Sequence, residues 1–136
     1  MTFRGTILSA VLKVGRLGSV VDNMSSSGLY GNIDLDYGVT NSVFHDIKLN
    51  NYYYHPDTNE KLIGLTIPLW NEVKQIVAEA SKCVPDLQYC GWDIAVLPDK
   101  VAIIEVNASP GHDLSIQSTL QQGIYSKIQQ ELKKKS

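Results

Sequence analysis

Two acids and an amide stand among apolar residues in one short part of the chain. Asp93 lies in Gly91-Trp92-Asp93-Ile94-Ala95-Val96, and Glu105 and Asn107 lie in Val101-Ala102-Ile103-Ile104-Glu105-Val106-Asn107. Glu105 and Asn107 are two positions apart, so on a strand they share a face. Asp93 joins them if strand pairing sets it opposite Glu105 or an even offset away. A three-residue loop at Pro98-Asp99-Lys100 gives that register. A two-residue loop pairs Asp93 with Ile104 and turns Glu105 to the other face. Three convergent oxygen donors, two of them carboxylates, suit Mg²⁺, which keeps several waters and binds phosphates at the same time. Carboxylates next to Ile and Val are otherwise costly to bury. The competing reading makes Asp93 and Glu105 ordinary polar positions on a solvent-facing sheet, paired with basic groups. On residue types alone both readings stand.

The elements that must hold these residues follow from hydrophobic spacing and turn chemistry. Residues 6–16 carry aliphatic and β-branched side chains on both parities, which predicts a strand covered on both faces or a long edge strand. Residues 17–28 crowd Gly, Asn and Ser into a loop. A second strand is expected over 29–35, turned by Asp36-Tyr37-Gly38, then extended chain over 39–49, a turn at 55–59 and a short extended approach over 63–67. Leu69, Val73, Ile76, Val77, Ala80 and Val84 recur at helical spacing, with Pro68 in the first turn and Pro85 as the stop. Residues 89–97 and 101–107 form an antiparallel hairpin. A second amphipathic helix is expected over 115–135, with Ile116, Leu120, Ile124, Ile128 and Leu132 on one face and Gly123 weakening it. The order predicts an α+β domain spanning 1–136, an antiparallel sheet with two main helices.

Composition bounds the function. With 43% hydrophobic and 19% charged residues in 136, the chain has the balance of an ordinary folded domain. A formal net charge of −2 argues against a general nucleic-acid binder. Lys133, Lys134 and Lys135 suit the negative end of a helix dipole. Cys83 and Cys90 fit no zinc spacing and are expected to be reduced thiols of a cytoplasmic protein. No apolar run is long enough to span a bilayer. Gly15-Arg16-Leu17-Gly18 lacks the Lys-Ser/Thr of a phosphate loop. His45 and His55 show no partner pattern, and Trp70 and Trp92 are expected in the core.

Gly91-Trp92-Asp93-Ile94-Ala95, followed by Ile104-Glu105-Val106-Asn107-Ala108-Ser109-Pro110-Gly111-His112-Asp113, resembles the C-terminal signature of ATP-grasp ligases. The likeness is greatest to the branch related to α-L-glutamate ligases and linked to sugar transfer and capsule polysaccharide biosynthesis. Ala10-Val11-Leu12-Lys13-Val14-Gly15-Arg16, Val21-Asp22-Asn23, His55-Pro56-Asp57-Thr58 and Ile67-Pro68-Leu69-Trp70-Asn71-Glu72-Val73 agree with it in the same order. The resemblance implies ATP and Mg²⁺ (or Mn²⁺) as cofactors. Asp93 would hold one Mg²⁺, Glu105 would bridge two, and Asn107 would hold the second. Arg16 would steady the γ-phosphate or an acyl-phosphate intermediate, and Asn23 would lie near the phosphates or the second metal. In such ligases ATP phosphorylates a substrate carboxylate, and an amine or another nucleophile displaces the phosphate.

The family's adenine-binding lobe lies N-terminal to this stretch. The resemblance therefore makes the chain the C-terminal, metal- and phosphate-binding lobe, with no turnover expected of it alone and a surface prone to homodimerise. Plainer readings accompany these roles: Arg16 as a strand-end surface charge, Asn23 as a turn former, His112 as a polar residue at helix entry, Asp113 as a helix cap. Two other functions compete with the ligase. One is a non-catalytic α+β module that binds a sugar or a protein. The other is a Mg²⁺-dependent phosphohydrolase, which needs further carboxylates or histidines.

Overall fold

The computed structural model describes residues 1–19, 28–110 and 123–134. The chain divides into two compact units, one formed by Met1–Ser9, Pro68–Gly111 and Ile124–Ser136, the other by Ala10–Ile67 and His112–Gly123.

The first unit is built on a four-stranded antiparallel sheet. It contains β1 (Thr2–Phe3), β2 (Thr6–Ile7), β7 (Tyr89–Val96) and β8 (Val101–Asn107), in the order β2-β1-β7-β8. The β1–β2 turn is Arg4-Gly5, both at positive φ, the backbone that a two-residue hairpin of the right twist requires. Helix α1 (Trp70–Cys83) packs on the β7–β8 hairpin and buries Val73 and Val77, one turn apart. Leu8 and Cys90 of the same unit are also buried.

The expected start of α1 needs correction. Leu69 adopts a left-handed conformation (φ 53°) and the helix begins at Trp70, so Pro68 precedes it rather than occupying its first turn. Val73 N–H closes the first helical bond to Leu69 O at 3.0 Å. Glu72 meets the positive end of the dipole, and the helix ends at Cys83, just before Val84 and Pro85. The second helix, α2 (Tyr125–Lys133), starts after Gly123 and Ile124; residues 115–122 of the expected span lie outside the described residues. It is tied to the first strands of its unit by Lys127 Nζ donating to Leu8 O (2.9 Å) and Thr6 Oγ1 donating to Glu131 Oε2 (3.2 Å).

The second unit holds β3 (Val11–Val14), β4 (Leu29–Asn32), β5 (Phe44–His45) and β6 (Asn51–Tyr52), in that spatial order and antiparallel. Its core is Leu29, Phe44 and Leu62, with Leu12, Val14, Tyr52 and Leu65 packed around it. Gly31 in β4 is required here: a Cβ at that position would overlap the Phe44 ring. Buried Thr40 binds the returning chain, donating to Leu62 O (2.6 Å) and accepting from Leu65 N (2.9 Å).

The single strand expected over 6–16 is two strands in two sheets. β2 ends at Ile7, and β3 begins only at Val11. The aliphatic residues on both parities therefore belong to short strands with different partners, not to one strand covered on both faces. Across 39–49 the extended chain forms only β5 and isolated bridges, because its polar groups are tied in local turns, Asp46 alone accepting from Lys48 N, Asn50 N and Tyr52 OH.

Candidate metal centre and phosphate contact

The β7–β8 hairpin turns through two residues. Leu97 N–H donates to Lys100 O at 2.8 Å across Pro98-Asp99, and Val96, Ala95 and Ile94 face Val101, Ala102 and Ile103. Continued regularly, this register would place Asp93 opposite Ile104 and Glu105 on the far face. The ladder instead shifts between Ile94 and Asp93. Ile104 is the extra residue, and Asp93 pairs with Glu105, Trp92 with Val106 and Gly91 with Asn107. A β-bulge of this kind re-aims the side chains beyond it. It brings Asp93, Glu105 and Asn107 onto one face from a turn that alone would have separated them.

Contacts within the first unit hold these side chains. Asn107 Nδ2 donates to Glu105 Oε1 at 2.9 Å, which leaves Asn107 Oδ1 and Glu105 Oε2 as acceptors for a cation. On the opposite face of β7, Trp92 Nε1 donates to Thr2 Oγ1 (2.9 Å), and the same hydroxyl lies 3.3 Å from Cys90 Sγ. These bonds fix the pleat that aims Asp93. Gly91 lets buried Pro110 close over the sheet, since a Cβ there would come within 2.9 Å of Pro110 Cβ. The loop leaving Asn107 is thereby held against the residue that Asn107 pairs with.

The donor chemistry fits a hard cation. Two carboxylates and an amide oxygen are hard oxygen donors, of the kind that could hold Mg²⁺; among the described residues no three His, Cys, Asp or Glu side chains gather. Among those residues Glu105 has no Lys or Arg partner; its bond is to Asn107. Cys83 and Cys90 are unpaired, the first exposed and the second buried.

Arg16 belongs to the second unit, two residues beyond β3. Its Nε donates to Asp57 Oδ2 and its Nη2 to Asp57 Oδ1, both at 2.7 Å, and Leu17 N–H adds a bond to Oδ2 at 2.9 Å. Hydrogen bonding from Arg16, then from Leu17, holds the Asp57 carboxyl far below the ordinary carboxylate range, and Asp57 in turn raises the Arg16 pKa. His55 is buried beside them. Its Nδ1 accepts from Asp57 N (3.2 Å) and Thr58 N (3.3 Å), so the proton sits on Nε2, which donates to Gly15 O at 2.9 Å. Sequence reasoning found no partner for His55 or Asp57. An acid in a turn and an arginine at a distant strand end carry no shared period; the close spacing of His55 and Asp57 in one turn was the available sign. Asn23, His112 and Asp113 lie outside the described residues.

Among the described residues, two antiparallel sheets and two helices make an α+β arrangement compatible with an ATP-grasp lobe. The family model of sugar-transfer associated ATP-grasp proteins matches residues 1–133, and the chain belongs to that family. Neither a curated protein nor a solved structure matches it. Membership makes ATP binding and ATP-dependent catalysis the general function. No described helix is long and apolar enough to cross a membrane.

Proposed function

We propose that the chain is the metal- and phosphate-binding lobe of a Mg²⁺-dependent carboxylate ligase, in which a carboxylate is activated by phosphoryl transfer from ATP and then captured by an amine. The observation that carries this reading is the bulge at Ile104, which sets Asp93 opposite Glu105 with Asn107 on the same face. A solvent-facing strand has no need of that irregularity, and the basic partner expected of an ordinary polar position is missing from Glu105 among the described residues. Asp93 and Glu105 supply carboxylate oxygens, and Asn107 supplies Oδ1, oriented by its bond to Glu105. Bound there, Mg²⁺ would neutralise phosphate oxygens and so lower the barrier to phosphoryl transfer. Arg16 is assigned to the transferred phosphate, and Asn23 to the phosphates or a second cation. The substrates are a small carboxylate and an amine in cell-surface polysaccharide or sugar-transfer biosynthesis, and the setting is the cytoplasm.

Mn²⁺ binding followed by water-proton relaxation tests the metal assignment directly. The intact chain is expected to bind Mn²⁺, and Asp93→Asn to weaken binding by more than about tenfold while far-UV circular dichroism stays unchanged. Equal affinity in the two proteins overturns the assignment.

A further inference from the structure

A guanidinium carries five N–H groups in a rigid fork. In Arg16 Asp57 takes two of them from the side, one on Nε and one on Nη2. The remaining three bond to no described residue; the second on Nη1 lies beside Cδ, while one on Nη1 and one on Nη2 point the same way and form the end edge of the group. That edge is the one that can meet two oxygens of a phosphate at once.

The grip on Arg16 is more extensive than a surface ion pair requires. Asp57 Oδ2 binds both the guanidinium and the backbone N–H of Leu17, the next residue. His55 holds Asp57 N from one ring nitrogen and Gly15 O from the other. The three consecutive residues Gly15, Arg16 and Leu17 are thus each fixed by the turn at 55–59. The base of the arrangement is buried, His55 being 6% exposed, while the Arg16 side chain keeps 31% exposure. Exposed ion pairs contribute little stability because two long side chains must be ordered to make them. Ordering an arginine in advance is useful where its free edge is to capture an anion.

We propose that Asp57, braced by His55, is a positioning residue that holds Arg16 with its free edge turned to a phosphate group. The inference rests on the assignment of Arg16 to the transferred phosphate and adds the residues that orient it.

The sign of one substitution separates positioning from simple charge. Asp57→Asn removes a negative charge beside Arg16, so a purely electrostatic neighbour would make an anion bind more tightly. A positioning residue makes it bind more weakly. Inorganic tripolyphosphate is the probe, titrated calorimetrically into the intact chain. Arg16→Ala is expected to weaken binding by about tenfold or more. Asp57→Asn should weaken it by roughly fivefold, and the double variant should bind no more weakly than Arg16→Ala alone. Asp57→Glu, which keeps the carboxylate, should recover part of the loss. Should Asp57→Asn bind tripolyphosphate as tightly as the unaltered chain or more tightly, the positioning role is overturned and the phosphate assignment of Arg16 stands. Tripolyphosphate binding that is absent, or indifferent to Arg16→Ala, removes the phosphate assignment and the positioning role with it.

Discussion

Asp57 sits where its charged form is strongly favoured, and the consequence is a pH dependence of definite sign. Its carboxyl is held below its ordinary value of 3.8 by Arg16 and then by Leu17 N–H. A group depressed in the folded state contributes stability above its unfolded pKa and loses it as pH falls toward the folded value. The urea midpoint of the unaltered chain should exceed that of Asp57→Asn by a constant margin at neutral pH, and the margin should shrink progressively below about pH 4. A margin that widens in acid contradicts the pairing. At this scale the hairpin acids were legible, because Glu105 and Asn107 obey the strand period of two. The Arg16–Asp57 contact was not. Its members lie 41 residues apart, and the fold alone brings them together.

At the scale of elements, the hairpin was legible and its register was not. Pro98-Asp99-Lys100 suggested the turn, but the chain turns in two residues, and Ile104 restores the alignment as an extra residue hidden in an apolar run. Deleting Ile104 should therefore leave Asp93 opposite Glu105, now in a ladder without a bulge. Cross-strand nuclear Overhauser effects between those two residues check it; a slip that pairs Asp93 with Val106 contradicts the account. Gly91→Ala drives a Cβ toward Pro110 and should cost about 1–3 kcal/mol in chemical denaturation. In the second unit Gly31→Ala forces the Phe44 ring aside at a similar cost of about 1–3 kcal/mol or more; a neutral change at Gly31 would mean that the ring packs elsewhere. The boundary of α1 was also hidden, since Pro68 suits a first helical turn and only the left-handed backbone at Leu69 moves the start to Trp70.

At the scale of the whole molecule the α+β class follows from strands, helix, hairpin and helix in that order. The division into two units was less legible, because residues 6–16 read as one strand while β2 and β3 enter different sheets. Each unit carries its own feature: the first the Asp93–Glu105–Asn107 face, the second the Arg16–Asp57–His55 assembly. Family membership makes the chain an ATP-grasp protein, and the proposed function assigns both features to ATP and its phosphates. In the proposed function the hairpin face binds nucleotide through a divalent cation. Calorimetric titration of the intact chain with a non-hydrolysable ATP analogue, with and without Mg²⁺ and repeated on Glu105→Ala, tests it most directly. Binding should require Mg²⁺ and be lost in Glu105→Ala. Binding that ignores Mg²⁺, or that survives Glu105→Ala undiminished, contradicts it.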